Sequence, residues 1–313
     1  MCKRKTKGDF LFMQENQNFL DFKISDADRS RFRRIVLDVM TEAISADDSY
    51  DGIGRLGEKQ MHAAIKRFIC PNTSCHEIKI DGSIGCNTKE LPEADNGTNS
   101  ADKDAPKRTK GKKTATKTRK FVADVLDGGT IYEIQTGSFA PLREKIRWIL
   151  DNTSYNIVLI HPIAETKWIS TISRDGKIGP RKKSPKKESL RDIAGELYFI
   201  SEFLTSPRFS LVILTLEAEQ YKKNTAAEGK RPRYKKYELI PISLLRAHIF
   251  RSLDDYRIFI PDDLPEVFTV KDFSARSKIF GLDAYSIVKT LSSLGFFEPA
   301  GKIGRAQSYQ IKH

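Results

Sequence analysis

Two β-prone runs, Phe121 to Asp127 and Thr130 to Gln135, meet at Gly128-Gly129. A Gly-Gly pair between such runs predicts a two-residue hairpin turn, because glycine enters positive φ without steric cost. That turn sets Asp124 opposite Glu133 and Val122 opposite Gln135. Strand alternation then puts Asp124, Glu133 and Gln135 on one face and Ala123, Val125, Tyr132 and Ile134 on the other. Moving the turn to Asp127-Gly128 makes the acids diagonal neighbours but keeps them on that face. Carboxylates opposed across a strand pair, about 5 Å apart, repel each other. A divalent cation is one reason for a chain to keep them together, and a solvated hairpin face is the plainer alternative.

A third acid comes from the segment Leu56 to Ile69, whose apolar residues Met61, Ala64, Ile65 and Phe68 recur at helical spacing. Glu58 lies three residues before Met61 and seven before Ile65, on the same stripe. A charge on that stripe faces the sheet the helix covers, where it needs a cation or hydrogen bonds. Otherwise it is a first-turn glutamate favoured by the helix dipole.

A helix bearing Glu58, a hairpin strand bearing Asp124, and then Glu133-Ile134-Gln135 resemble the PD-(D/E)xK nucleases, the restriction-endonuclease-like superfamily, over residues 54 to 216. The resemblance implies that Glu58, Asp124 and Glu133 hold Mg²⁺, with Mn²⁺ able to substitute. It also implies that the third motif residue, usually Lys, positions or activates the attacking water. Gln135 stands at that place. An amide orients a water and leaves its activation to the metal, or else marks a scaffold without activity. Leu56 to Lys59, Glu133 to Thr136 and Thr166 to Trp168 also resemble a bacterial family without an assigned function.

The rest of the chain fits a nucleic-acid partner. Among 313 residues, 54 Lys and Arg against 41 Asp and Glu give a formal net charge of +13, which favours a polyanion. No apolar run is long enough to span a bilayer and no signal-like core opens the chain, so the expectation is a soluble, cytoplasmic, nucleoid-associated protein. Four cysteines make no disulfide framework. Cys70, Cys75, His76 and Cys86 cluster, but C-x4-C-H-x9-C is not a standard zinc spacing, and incidental thiols are the better reading.

Along the chain, residues 1 to 53 read as a basic tail and a helix from Asp28 to Ala43. Residues 54 to 239 read as a mixed α/β nuclease-like domain, with a polar insertion at 82 to 118 too poor in apolar residues to order itself. Within that domain are a helix from Pro141 to Leu150, a doubly buried strand from Asn156 to Ile163 and another strand from Lys167. A helix over Glu188 to Leu204 and a strand over Phe209 to Leu216 follow. Lys167, Trp168 and the extended loop carrying Arg181, Lys182, Lys183, Lys186 and Lys187 are candidates for phosphate contact, with a ligand-free surface loop as the alternative. A further basic run from Lys222 to Lys236 reads as a linker or a second backbone contact, and residues 240 to 265 as a helical bridge.

Residues 266 to 313 look like a winged helix. Thr269 caps one helix, Leu282 to Leu294 forms a second, and two strands pair around Gly301 to Arg305. Tyr285, Ser286 and Lys289 would face bases, and Lys302 and Arg305 would sit at the wing. Winged helices also dock proteins. Together the resemblances imply a Mg²⁺-dependent endonuclease of double-stranded DNA, restriction-like or defence-related and possible as a homodimer. An inactive DNA-binding regulator and an RNA-processing nuclease are the alternatives.

Overall fold

The computed structural model describes residues 22–45, 57–80 and 121–312; the side chains of 22, 23, 43–45 and 57–59 lie outside that description. The basic tail, the 82–118 insertion, Cys86 and the side chain of Glu58 therefore fall outside the described residues. In chain order the elements are β1 (Phe22–Lys23), α1 (Asp26–Ser45), α2 (Gly57–Ile69), β2 (His76–Ile80), β3 (Phe121–Asp127), β4 (Thr130–Ile134), α3 (Arg143–Asn152) and β5 (Asn156–Ile172). They continue as β6 (Lys182–Lys183), β7 (Phe209–Asn224), β8 (Tyr234–Phe250), β9 (Val267–Thr269), α4 (Val270–Ser277), α5 (Gly281–Ser293), β10 (Phe297–Ile303) and β11 (Ala306–Ile311). The protein is mixed α/β.

The main sheet has eight strands in the order β1-β8-β7-β5-β4-β3-β2, with β6 beside β5. β4, β5 and β7 run parallel, and every other pairing is antiparallel. The hairpin forms as its glycines predict: Asp127 pairs with Thr130 and Val125 with Tyr132, while Gly128 and Gly129 both take positive φ. One face is covered by α1 and α2 through Phe32, Met61, Ala64, Ile65 and Phe68, packed on Val125, Tyr132 and Ile134. The other is covered by α3 and by 3₁₀ turns at Leu190–Ile193, Glu196–Phe203 and Leu253–Phe259.

β5 does not end at Ile163. It runs through Pro162 as one strand that takes in Lys167, paired with β7 as far as Ile172. Proline is tolerated there because β4 stops at Ile134, opposite Ile160, and Gln135 N–H donates to Ile160 O. The N–H that Pro162 lacks would point past the end of β4, where no strand waits.

Three expectations are corrected. The helical bridge over 240 to 265 is a strand for its first part: β8 runs to Phe250, paired by β7 on one side and β1 on the other, and only Leu253–Phe259 coils as 3₁₀. An apolar run without period suits a strand buried on both faces as well as a buried helix, and periodicity alone does not separate the two. The helix over Glu188 to Leu204 is two 3₁₀ turns broken near Gly195, where a Cβ would overlap the Asp283 carboxylate at the start of α5. The basic run from Lys222 to Lys236 is no linker but the two arms of the β7–β8 hairpin, with Lys222 opposite Lys236 and Lys223 opposite Lys235.

The C-terminal residues form a second sheet, β10-β11-β9, beneath α4 and α5. The turn between β10 and β11 is Gly304-Arg305, tighter than expected. Residue 266 is not a break in packing: Phe268, Phe273, Ile287 and Leu291 belong to one apolar cluster with Leu197, Ile200 and Leu159.

Candidate active site

The β3–β4 ladder stops one step short of the acids. Beyond Val125–Tyr132 the register would set Asp124 beside Glu133 and offer the Ile134 N–H to Ala123. The Asp124 carboxylate takes that N–H instead, Oδ2 accepting from Ile134 N at 2.8 Å. The same oxygen lies 3.0 Å from His62 Nε2 on α2. Burial works against the charge of Asp124, but the His62 and Ile134 hydrogen bonds prevail and hold the carboxyl below its ordinary range. Asp124 is thus an anion wedged between two parted strands.

Glu133 is in the opposite condition. It is 3% exposed, and its Oε1 has no hydrogen-bond partner. Its Oε2 pairs with Lys145 Nζ at 2.5 Å. Burial pushes its carboxyl up to about 7, with Lys145 opposing the rise and Asp124 adding to it. Lys145 comes from α3, and its Nζ also donates to Val122 O at 2.5 Å. Glu133 therefore has a lysine beside it that comes from α3 and not from its own strand, where Gln135 follows two residues on.

Gln135 is engaged elsewhere. Its Nε2 donates to Ser138 O at 2.5 Å, and its backbone O lies 2.5 Å from His161 Nδ1. His161 is buried edge-on to Phe139, and burial lowers its pKa. Glu196 completes the same turn by accepting from Ser138 Oγ at 2.8 Å and Phe139 N at 2.7 Å. These residues pin the loop leaving β4. Glu58 lies one helical turn before His62 on α2, at the end of the helix that reaches Asp124.

Mg²⁺ is a hard cation that takes oxygen ligands and usually needs only one or two protein carboxylates. Asp124 and the unpartnered Oε1 of Glu133 are ligands of that kind, but the expected common face is not kept. Asp124 turns to His62 on α2 and Glu133 to Lys145 on α3, helices that cover opposite faces of the sheet. Ala123 parts from Val125 in the same way, because the strands separate at Asp124. Among the described residues no three His, Cys, Asp or Glu side chains converge as a metal site. In the thiol region His76 Nε2 lies 2.8 Å from Cys70 O, and burial foremost raises the Cys70 thiol to about 11.

The basic candidates divide. Lys167 pairs with Glu188, and Arg181 stacks 4.0 Å over Trp168 while facing Glu217 and Glu219 at 3.6 and 3.8 Å. Trp168 Nε1 donates to Glu217 at 2.5 Å. These three brace the extension of β5 and β7, because a half-buried cation draws in a carboxylate before it meets a ligand. Lys182, Lys183, Lys186 and Lys187 are exposed. On α5, Tyr285 is exposed, Lys289 lies 5.6 Å over its ring, and Ser286 is half-buried. Lys302 and Arg305 are exposed at the β10–β11 turn.

Sequence reasoning missed Lys145 and His62. Lys145 lies four residues before the buried Ile149, so it sits on the sheet-facing side of α3, and His62 lies four after Glu58. Those spacings were the available signal.

The profile of a family described as "Domain of unknown function (DUF8091)" matches residues 103–251, a segment that contains Asp124, Glu133 and Lys145. The chain is similar to an "Uncharacterized protein" of Treponema pallidum (strain Nichols), 25% identical over 256 residues that span 81% of this chain and 85% of that protein. No solved structure matches the chain. Among the described residues no helix is long and apolar enough to cross a membrane.

Proposed function

We propose that this protein is a metal-dependent endonuclease acting on double-stranded DNA, with the nuclease superfamily's acid site at the end of β4 and a winged helix in residues 266 to 313. The observation that carries the reading is Lys145. It brings an ammonium to 2.5 Å from Glu133, beside Asp124, and so restores from a helix the lysine that the strand motif lacks. Mg²⁺ held by Asp124 and Glu133, with Glu58 as a third ligand, would supply Lewis acidity and a more acidic bound water. Lys145 would orient the attacking water or hold a phosphate oxygen at its Nζ. His62 fixes the rotamer of Asp124, and the Gln135–Ser138 bond fixes the loop. The water-orienting role thus passes from Gln135 to Lys145.

Charge supports the same partner. Lys222 opposite Lys236 and Lys223 opposite Lys235 are like-charged cross-strand pairs, which destabilise a hairpin unless a polyanion meets them. Cleavage of plasmid DNA with Mg²⁺ or Mn²⁺, against chelator, tests the reading. Asp124→Ala and Lys145→Ala should each slow cutting by about a thousandfold, several kcal/mol of lost transition-state stabilisation, while DNA affinity holds. A wild-type chain that cuts neither DNA nor RNA sinks the proposal. A second reading then takes over, an inactive DNA-binding regulator, which is favoured by the fact that His62 and Lys145 already partner both acids.

A further inference from the structure

A second unsatisfied carboxylate lies close to the acid site. Between the end of β4 and the outer halves of β5, β7 and β8 is a cavity of about 300 Å³. Glu238, on β8, lines it, is 3% exposed, and has no hydrogen-bond partner on either carboxylate oxygen. Burial raises its carboxyl above the ordinary range. The neighbouring Gln220 does not serve it, because its Nε2 is spent on Tyr221 O at 3.0 Å and Glu238 O at 2.5 Å. A buried carboxylate with both oxygens idle costs several kcal/mol, and a native chain that keeps one calls for an explanation.

The rest of the lining says what would satisfy it. Met61, Pro162, Ile163 and Leu216 make an apolar wall that suits a flat ring. Glu188 also lines the cavity but is paired with Lys167, whereas Lys236 is exposed and makes no ion pair among the described residues, so an uncompensated cation stands at the same cavity as the idle acid. A ligand with hydrogen-bond donors on a flat apolar body and an anionic group on its other part matches both. A nucleotide has that form. Two carboxylate oxygens are best met by two parallel donors, which guanine alone among the common bases presents on its pairing edge, through N1–H and N2–H. Adenine turns an acceptor to that position. In a duplex the edge is occupied by cytosine, so such a site takes an unpaired or extruded nucleotide. Two chain neighbours tie the cavity to the acids: Met61 and Thr136 line it, and they directly adjoin His62 and Gln135.

We infer that this cavity is a guanine-nucleotide pocket, Glu238 accepting from the base and Lys236 meeting the phosphate, beside the candidate cleavage site. The inference rests on the nucleic-acid reading above but not on catalysis.

Calorimetric binding of guanosine, inosine and adenosine 5′-monophosphates to the full chain, without metal, tests it. The expected order is guanosine, then inosine, then adenosine monophosphate, with roughly tenfold between the first two because inosine lacks the amino donor. Glu238→Gln should erase that preference without lowering the melting temperature, since it removes a buried charge. Lys236→Ala, at an exposed position, should weaken all three monophosphates and leave the nucleoside guanosine unaffected. Absence of guanosine monophosphate binding at millimolar concentration, or an unchanged preference in Glu238→Gln, overturns the inference. So does a Lys236→Ala chain that binds as the wild type does. Nucleotide binding in a chain that cuts nothing would retire the nuclease reading and leave the pocket standing; cutting without base preference would do the reverse.

Discussion

The strand ends of the main sheet that carry the acids and the C-terminal module treat their polar groups differently. In the module, Thr269 Oγ1 donates to Asp272 Oδ2 at 2.7 Å and accepts from Asp272 N at 3.3 Å, which closes the start of α4. Thr290 Oγ1 donates to Ser286 O at 2.9 Å, and Ser277 Oγ accepts from Ile279 N at 3.2 Å. Phe268, Phe273, Phe297 and Tyr309 interlock as tilted, stacked and edge-on rings, with Phe268 and Phe297 centroids 4.8 Å apart. At the strand ends of the main sheet, by contrast, Glu133 Oε1 and both oxygens of Glu238 are buried without partners. Sequences agree with their folds at every level except where function demands otherwise. The contrast supports the proposed site at these strand ends, with the module as its platform.

The largest effect should come from breaking the platform. Phe268 is fully buried at the centre of its ring cluster, and Phe268→Ala should cost about 3–5 kcal/mol through lost transfer energy and a residual cavity. Because the module shares one apolar cluster with Leu159, Leu197 and Ile200 of the main sheet, the whole described fold should lose stability in a single urea transition. Two separated transitions, with only the first moved by the mutation, would show that the two regions stand apart energetically.

Next in size is the pH signature of the acids, which differ in sign. The Glu133 carboxyl is raised from 4.5 to about 7, so the folded state binds its proton more tightly than the unfolded state does. Stability should therefore fall as pH rises from about 4.5 to 7, by about 3 kcal/mol, and level off above that. Asp124 is lowered, so its contribution is present above its ordinary value of 3.8 and is lost as pH falls through the folded value below that. Glu133→Gln should remove the fall between pH 4.5 and 7 and raise stability at pH 8, as followed by urea midpoints. A slope that persists in this variant would assign the titration to another group.

The hairpin, the α2 stripe and the C-terminal helix and strand pattern were legible because each rests on local rules: glycines in a two-residue turn, apolar residues at helical spacing, a threonine cap. The hairpin register brought Asp124 and Glu133 to the same level for the same reason, but not to one face: the ladder ends at Val125–Tyr132, and Asp124 turns to His62 on α2 while Glu133 turns to Lys145 on α3. Lys145 was not, because it meets Glu133 only after a crossover returns the chain to the sheet, and nothing within either segment encodes that meeting. Glu238 was hidden by its strand: β8 reads as an apolar run without period, and one acid near its end looks like an ordinary surface residue. The bracing of Lys167 and Arg181 by Glu188, Glu217 and Glu219 likewise depends on strands brought together from distant parts of the chain.

That bracing sets the smallest expected effect. Arg181 is tied to Trp168 and two carboxylates, whereas Lys302 and Arg305 make no ion pair among the described residues and sit exposed at a turn. Arg181→Ala should therefore lower stability by about 1 kcal/mol through lost stacking and pairing, while Lys302→Ala and Arg305→Ala should leave it within about 0.5 kcal/mol. On duplex DNA the ranking should invert. If the module is a winged helix with its turn on the phosphate backbone, each of Lys302 and Arg305 should reduce the slope of log affinity against log salt by about one, equally for all sequences. Tyr285→Ala and Lys289→Ala would instead alter preference between sequences, since they lie on the exposed face of α5. Salt titrations that give the same slope for Lys302→Ala, Arg305→Ala and the wild type would take DNA away from the module and assign its exposed Phe280 and Leu282, the latter 84% accessible, to contact with a protein.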